Sequence, residues 1–294
     1  MSEINSLSLK VFAEILRSGS FEAAARKLHI TPSAVSQRIR QLEDQFGQLL
    51  IVRGIPSRPT DAGRKLFRHA QQIQSMEDDF FNELNQTTDY KISVAVNMDS
   101  MDGWFLDVIT EAASSGIMLN LKAEDQAFSE SMLREGKVMA AVSTNSRPIQ
   151  GCSTELLGTM YYTACASVSF CEQFFPEGDR VENIITSPAI CFNEKDGLQH
   201  EFLKSVAGRD VEPITMFIPS NTAYIEAIHR GVGWGMLPDF ISNRHLNQGT
   251  IVKLIPEFAI AVNLYWIRWN TRITALDRLS ECVRSAAKKH LRIN

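Results

Sequence analysis

The hydrophobic positions of the first sixty residues are spaced for three short helices, which we place at residues 6–17, 21–28 and 32–46. In the first and third segments apolar residues recur every three or four positions, which is the helical period. Gly19 and Gly47 follow these two segments, and glycine commonly ends a helix. The pattern predicts a small helical domain at the N-terminus.

The third of these helices has two faces of different chemistry. Thr31 can cap it, and Pro32 suits its first position, where the missing N–H would have no partner anyway. An apolar stripe on one side must pack on the first two helices. The other side carries hydroxyl, amide and guanidinium groups, which can bond base edges and phosphates. The stripe is Val35, Ile39, Leu42 and Phe46, and the candidate DNA contacts are Thr31, Pro32, Ser33, Ser36, Gln37 and Arg40.

The stretch LLIVRGIPSRPT follows the third helix. Residues 49–52 predict a short strand, and residues 53–58 predict a turn that carries two basic side chains, Arg53 and Arg58. Such a turn is typical of a wing that contacts the DNA backbone. Together these segments indicate a winged helix-turn-helix at residues 1–60, all-α with a small wing, with the N-terminal half of its third helix in the major groove.

A long helix is predicted next, at residues 61–84, with Thr60 as its cap. Its apolar stripe has no obvious partner in the chain, so we expect a second copy to cover it and form a dimer. The alternative is that the stripe packs on the body of its own chain. The acidic run at residues 77–79 is expected to face solvent, and residues 61–89 form the linker. The stripe is Leu66, Ala70, Ile73, Met76 or Glu77, Phe80 and Leu84.

Beyond residue 90 short apolar strands alternate with amphipathic helices, and a second group of them begins near Tyr161. This alternation predicts an α/β domain with a mainly parallel sheet at residues 90–294. In such sheets, ligands bind beyond the carboxyl ends of the strands.

The predicted strand ends carry acids among hydroxyls and amides, which suits a ligand with both cationic and carboxylate groups. Adjacent strand residues face opposite ways, so we expect Asp99 and Glu124 to hold the cations, with Asp125 as the alternative to Glu124. These residues could also be helix caps and turns without a ligand. The candidates are Asp99, Ser100, Glu124, Asp125, Ser143, Thr144, Asn193 and Asn221.

The charge of the chain is unevenly distributed, although the net charge is only −4. Residues 1–68 contain 11 Lys and Arg against 6 Asp and Glu, and the remainder contains 19 against 28. A basic module joined to an acidic body fits a DNA-binding protein whose body does not contact DNA.

Other classes of protein lack support in the sequence. The five cysteines form no CxxC, which fits free thiols in the cytoplasm, and no apolar run or signal sequence indicates a membrane or export. No histidine lies at metal-ligand spacing, GVGWG has the wrong spacing for a dinucleotide site, and G-x-S-x-G is missing. We expect neither an enzyme nor a cofactor.

The N-terminal motifs resemble those of the LysR-type transcriptional regulators. The matching positions are A-A-x-x-L, T-x-S-A-V-S-x-x-I-x-x-L-E, F-G and T-x-A-G within residues 24–63. The resemblance implies a DNA-binding dimer, often a tetramer, that controls transcription through a small effector, with RNA polymerase as a candidate partner. It also implies a two-lobed effector domain related in shape to periplasmic solute-binding proteins. Lobe 1 would span about residues 90–161 and 266–294, and lobe 2 about residues 162–265.

More closely, AVNMDSMDGWFLDV, AEDQ, AVSTN and QFFPEG resemble the subfamily that regulates arginine or lysine export. This implies lysine or arginine as the effector, bound between the lobes, although Asn193 stands where the resemblance implies an aspartate. Members of this subfamily have also been described as inhibitors of chromosome-replication initiation. The alternative function is therefore an effector-independent DNA-binding inhibitor of replication.

Overall fold

The computed structural model of the chain describes residues 4–85, 90–123, 126–175 and 180–293. It begins with three helices, α1 (Ser6–Ser18), α2 (Phe21–Lys27) and α3 (Pro32–Phe46), as predicted. The side chain before each helix accepts a backbone N–H of its first turn, which satisfies a donor that the helix itself leaves unpaired. The three caps are Asn5, Ser20 and Thr31.

A two-stranded wing follows, with β1 (Ile51–Val52) antiparallel to β2 (Arg58–Pro59). The Ser57 backbone N–H donates to the Gly19 carbonyl at 2.7 Å, which joins the wing to the turn between α1 and α2. Val35, Ile39 and Leu42 are buried, but Phe46 is 38% exposed. The prediction that Phe46 completes the apolar stripe of α3 is therefore wrong, because the helix outruns the partners it packs on.

Helix α4 (Asp61–Asn85) begins tightly against the wing. The Thr60 hydroxyl accepts the Gly63 N–H at 3.0 Å and donates to the Leu49 carbonyl at 2.8 Å. A Cβ added at Gly63 would overlap the Leu50 carbonyl oxygen, so only glycine allows this approach. The wing and the start of α4 therefore form one rigid unit.

The two halves of α4 have different surroundings. Leu66, Phe67 and Ala70 are buried in the core of the DNA-binding module. The expectation that this part of the stripe lacks a partner in its own chain is wrong, since α1 and the wing cover it. The second half remains apolar and more than half exposed, at Met76, Phe80, Phe81 and Leu84.

The body begins with alternating strands and helices, and its later part adds smaller elements around two long strands. The first group is β3 (Tyr90–Val96), α5 (Met98–Met101), α6 (Phe105–Ser114), β4 (Ile117–Ala123), α7 (Gln126–Arg134), β5 (Ala140–Ser143) and β6 (Cys152–Ser167). The second is α8 (Val168–Phe174), α9 (Arg180–Thr186), β7 (Pro188–Cys191), α10 (Leu198–Ala207), β8 (Ile214–Phe217), α11 (Asn221–His229), β9 (Gly235–Pro238), α12 (Asp239–Asn247), β10 (Ile251–Lys253), β11 (Ile260–Trp269) and α13 (Thr274–His290).

Within the described residues, one sheet runs in the order β10-β6-β11-β5-β3-β4, with β9 also paired to β6. Only β3, β4 and β5 pair in parallel there, whereas β6 and β11 pair antiparallel to their neighbours. A separate parallel pair, β7 and β8, lies in the second group. The prediction of a mainly parallel sheet is therefore wrong: the sheet is mixed, because β6 and β11 cross both groups of elements.

The described part of the chain contains no helix with both the length and the apolar character needed to cross a bilayer.

We expect Gly63→Ala to lower the free energy of unfolding by ~1–3 kcal/mol, because the new methyl must displace the Leu50 backbone. Gly54→Ala in the same module is the matched control, since its Cβ would lie 3.5 Å from the nearest atom, the Pro56 carbonyl oxygen. Denaturant unfolding measures both variants. Equal stability in the two would contradict the proposed close contact.

Candidate functional site

The outward face of α3 presents the predicted DNA contacts. Thr31, Pro32 and Ser33 are exposed at its start, Gln37 and Arg40 are exposed further along, and Ser36 is half-buried. The Thr31 hydroxyl accepts the Ala34 N–H at 3.2 Å and lies 2.9 Å from the Ser33 hydroxyl. Thr31 therefore orders the first turn of α3, and Gln37 and Arg40 extend from the rigid helix that it begins.

The two wing arginines are both exposed. The Arg53 guanidinium lies over the Phe21 ring, 5.0 Å from its centroid, which holds the base of the wing against α2. Arg58 lies directly opposite Val52 in the two-stranded wing.

The sequence analysis missed the residue that joins the wing to α3. A carboxylate oxygen of Glu43 accepts the Leu50 N–H at 2.8 Å and the Ile51 N–H at 3.3 Å. Glu43 thus sets the position of the wing relative to the helix. No local signal marks this role, because an acid late in a helix is most often solvated.

A cavity of about 620 Å³ opens beyond the carboxyl end of β3. Three predicted effector residues line it, namely Asp99, Asn193 and Asn221. Ser100 is fully buried, and its hydroxyl has no hydrogen-bond partner among the described residues. Ser143 is also buried and accepts the Asn145 N–H at 3.1 Å.

The remaining candidates are not placed at this cavity. Within the described part of the chain, the residues that line it do not include Ser100, Ser143 or Thr144. Ser143 is the last residue of β5 and Thr144 follows it, whereas the pairing of β5 with β3 already ends at Ala141. Glu124 and Asp125 lie outside the described residues.

Asp99 has a perturbed acidity. The Tyr162 hydroxyl donates to the Asp99 carboxylate at 2.8 Å. Burial, with smaller contributions from the charges of Asp196 and Asp102, raises the pKa of Asp99 to about 6, and the hydrogen bond from Tyr162 opposes this shift. The carboxylate is therefore costly to ionise alone, and a bound cation would relieve that cost.

A second acid of the cavity, Asp196, was missed by the sequence analysis. Its carboxylate accepts the Phe192 N–H at 2.9 Å and the Leu198 N–H at 3.3 Å, and it lines the cavity. The Asn193 side chain instead accepts the Lys195 N–H at 2.8 Å. An acid thus stands three residues beyond the position where one was expected, and a tight turn brings it to the cavity.

Two contacts join the two groups of elements. The Asn221 side-chain amide donates to the Asp102 carboxylate at 2.7 Å. The Phe240 ring packs directly on Gly103, where any Cβ would overlap it. Asn221 therefore bridges the two sides of the cavity in this conformation.

The donor set of the cavity suits an organic cation better than a metal ion. Asp99, Asp196 and Glu201 line it together with amides and tyrosines. Among the described residues, no group of three or more His, Cys, Asp or Glu side chains could hold a metal.

Comparison with known proteins identifies both parts of the chain. Residues 7–64 match the bacterial regulatory helix-turn-helix protein family, lysR type, and residues 86–288 match the LysR substrate binding domain. The HTH-type transcriptional regulator LysG of Mycobacterium tuberculosis is 36% identical over 288 residues, which cover 97% of this chain and 94% of that protein.

Two solved structures share the fold over nearly the whole chain. ArgP from Mycobacterium tuberculosis superposes with a TM-score of 0.93 at 35% identity, covering 99% of this chain and all of that one. Full-length LysG from Corynebacterium glutamicum with bound effector Arg superposes with a TM-score of 0.83 at 34% identity, covering 98% of this chain and all of that one. The predicted architecture is confirmed, as is the expectation that the chain is not an enzyme. The chain belongs to the LysR family of transcriptional regulators, and within it to the ArgP and LysG type.

Proposed function

We propose that this regulator responds to a basic amino acid, arginine or lysine, bound in the cavity beyond β3, and acts in the cytoplasm on genes for amino-acid export or metabolism. The observation that carries the proposal is the pair of acids, Asp99 and Asp196, on the walls of one cavity. The bound arginine of the Corynebacterium glutamicum relative supports it.

The ligand chemistry follows from the charges. A basic amino acid carries two cationic groups and one carboxylate. Asp99 and Asp196 line the cavity and offer a partner to each cation. The Ser100 hydroxyl is buried behind Asp99 and has no hydrogen-bond partner among the described residues, and we propose it as a donor to the carboxylate. Glu124 and Asp125 remain candidates because β4 ends at Ala123 beside Val96, at the same sheet edge. The candidate roles of Ser143, Thr144, Asn193 and Asn221 likewise remain part of the proposal.

Asp99→Asn should weaken arginine binding by about 2–5 kcal/mol, roughly 30-fold to several-thousand-fold, because it leaves a buried cation unpaired. Wild-type affinity should also fall as the pH drops from 7 to 5, since the pKa of Asp99 is about 6 and the protonated carboxyl carries no charge. Tyr162→Phe should move this fall in affinity to higher pH. The hydrogen bond from Tyr162 favours the ionised form of Asp99, so its loss raises the pKa of Asp99 further. Titration calorimetry with arginine and lysine measures all three effects.

The control for this experiment is Asp107→Asn, which removes an acid that pairs with His290 on the surface. It should bind arginine like the wild type. A wild-type protein that binds neither amino acid at millimolar concentration would contradict the effector proposal and favour the effector-independent inhibitor of replication.

We propose that α3 reads base edges in the major groove while the wing arginines contact phosphates. Arg53→Ala with Arg58→Ala should weaken binding to all DNA and reduce the slope of log affinity against log salt by about 2, one unit for each phosphate contact. Gln37→Ala should instead narrow the difference between a selected and a random duplex by ~1–3 kcal/mol. Fluorescence anisotropy over a salt series measures both.

Arg209→Ala with Arg230→Ala removes the same charge from the body, where both side chains form exposed ion pairs, and should leave DNA binding unchanged. If the wing and body variants behave alike, only net charge matters, and the wing assignment is wrong. An unaltered sequence preference in Gln37→Ala would exclude that side chain from base readout.

We propose that a second copy covers the exposed half of α4 and forms a homodimer, from which a tetramer could be built. Phe80→Asp with Leu84→Asp places two charges in this contact and should give monomers in sedimentation velocity. Both side chains are more than half exposed, so the isolated chain should stay folded. Leu156→Asp with Ile293→Asp, at two positions on the body that are also more than half exposed, is the control. Dimers in the first variant would place the interface elsewhere.

A further inference from the structure

The C-terminal helix α13 begins at Thr274 without a capping side chain from its own segment. Asp79 of α4 supplies one: its carboxylate accepts the Thr274 backbone N–H at 3.0 Å and the Thr274 hydroxyl at 3.2 Å. The prediction that Asp79 faces solvent is therefore wrong. A carboxylate is favoured at a helix N-terminus, where backbone N–H groups lack partners. The linker helix is thus joined to the body by a cap.

A second contact lies at Arg68, where α4 meets two turns of the body. A Cβ at Gly136 would lie 2.8 Å from the Arg68 Cα, and a Cβ at Gly151 would lie 2.8 Å from its guanidinium. The guanidinium also approaches the Cys152 sulfur at 3.5 Å. Both glycines have a φ of +75°, so other residues would be strained there even without the contact.

These contacts lie on one face of α4. Arg68 and Asp79 are eleven residues apart, which is three helical turns with an offset of about 20°. Between them the Ser75 hydroxyl lies 3.9 Å from the Met139 sulfur, on the same face. The exposed apolar side chains of α4 occupy a different face, so the same helix can contact the body and a second copy at once.

In the body, the strand β11 runs from the cavity to the region that α4 contacts. Val262 of β11 lines the cavity, and β11 ends at Trp269, shortly before Thr274 begins α13. The Trp269 N–H donates to the carbonyl of Met139 at 3.0 Å, and Met139 is also the residue whose sulfur Ser75 contacts. One strand therefore joins the cavity wall to the surface on which α4 lies.

We infer that Asp79 and Arg68 are positioning residues that fix the direction of α4 on the effector domain and so set where each DNA-binding module stands. The part of this inference that concerns the effector rests on the proposed function. Without the cap, α4 keeps its own fold and its contacts with the DNA-binding module, but its angle to the body is no longer fixed. The distribution of spacings between the two modules of a dimer then becomes broader, and ligand binding in the cavity no longer controls the spacing.

Three variants separate the cap from other effects. Asp79→Ala removes the acceptor, whereas Asp79→Asn keeps an oxygen that can accept the Thr274 N–H. Thr274→Pro removes both donors from the other side, at the first position of a helix, where proline is well tolerated. Ile273 before it is already extended, with φ −137° and ψ 116°, as a residue before proline must be. The matched control is Asp78→Ala, which removes the neighbouring exposed acid.

Two measurements on the full chain test the inference. Selection from a randomised duplex library gives the preferred spacing between half-sites, which depends on module position and not on stability. Anisotropy with the duplex chosen by the wild type gives the change in DNA affinity caused by arginine, for which couplings of about 5–150-fold are typical. Asp79→Ala and Thr274→Pro should broaden the distribution of selected half-site spacings. They should also reduce the effect of arginine on DNA affinity to about twofold or less. Asp79→Asn and Asp78→Ala should match the wild type.

The calorimetric affinity for arginine in the absence of DNA should stay the same in every variant, which shows that the body remains folded. Wild-type spacing in Asp79→Ala overturns the inference, and so does wild-type spacing in Thr274→Pro. If the wild type itself shows no response to arginine, the effector proposal fails, and the half-site spacing alone decides whether Asp79 positions the module.

Discussion

The antiparallel pairing of β6 with β11 is the constraint on which the effector domain depends. It runs the length of β11, from Ile260 to Trp269, and shifts register once near Gly158. The shift bends the strands, and Gly158 lets the chain after α13 approach them closely. Because both strands cross from one group of elements to the other, both groups contribute strands to one large sheet and share much of one core. Tyr162 and Val262 bring this pairing to the cavity wall.

On the proposed function, the acids of the cavity would allow a protein of modest net charge to select a cation. Asp99 is held where water cannot fully solvate it, and neighbouring carboxylates make its ionisation harder still. Tyr162 offers one hydrogen bond that offsets part of this cost. A ligand without a positive charge would leave the carboxylates uncompensated, so the proposed site would discriminate against neutral ligands through desolvation.

Features set by local chemistry could be predicted from the sequence, and features set by distant pairing could not. The caps Ser20 and Thr31 act within three residues, and both helix starts were placed correctly. The position of Asp99 at a cavity could be predicted because it follows a strand end in an α/β sheet. Tyr162 and Asp196 gave no such signal. Tyr162 lies in the middle of a long strand, and Asp196 reaches the cavity only through a turn. Asp79 caps a helix 195 residues away, which no local pattern indicates.

Gly63 couples any rotation of the linker helix α4 to a movement of the wing. Because its contact with Leu50 leaves no slack, the wing and α4 turn together as a lever. The 25 residues of α4 span roughly 37 Å at 1.5 Å per residue. A tilt of about 5° at the Asp79 end would move the wing by roughly 2–3 Å, close to the ~3.4 Å rise between base pairs. A small rotation of α4 that releases its contacts at Asp79 and Arg68 would therefore be enough to shift the protein by nearly one base pair along its DNA.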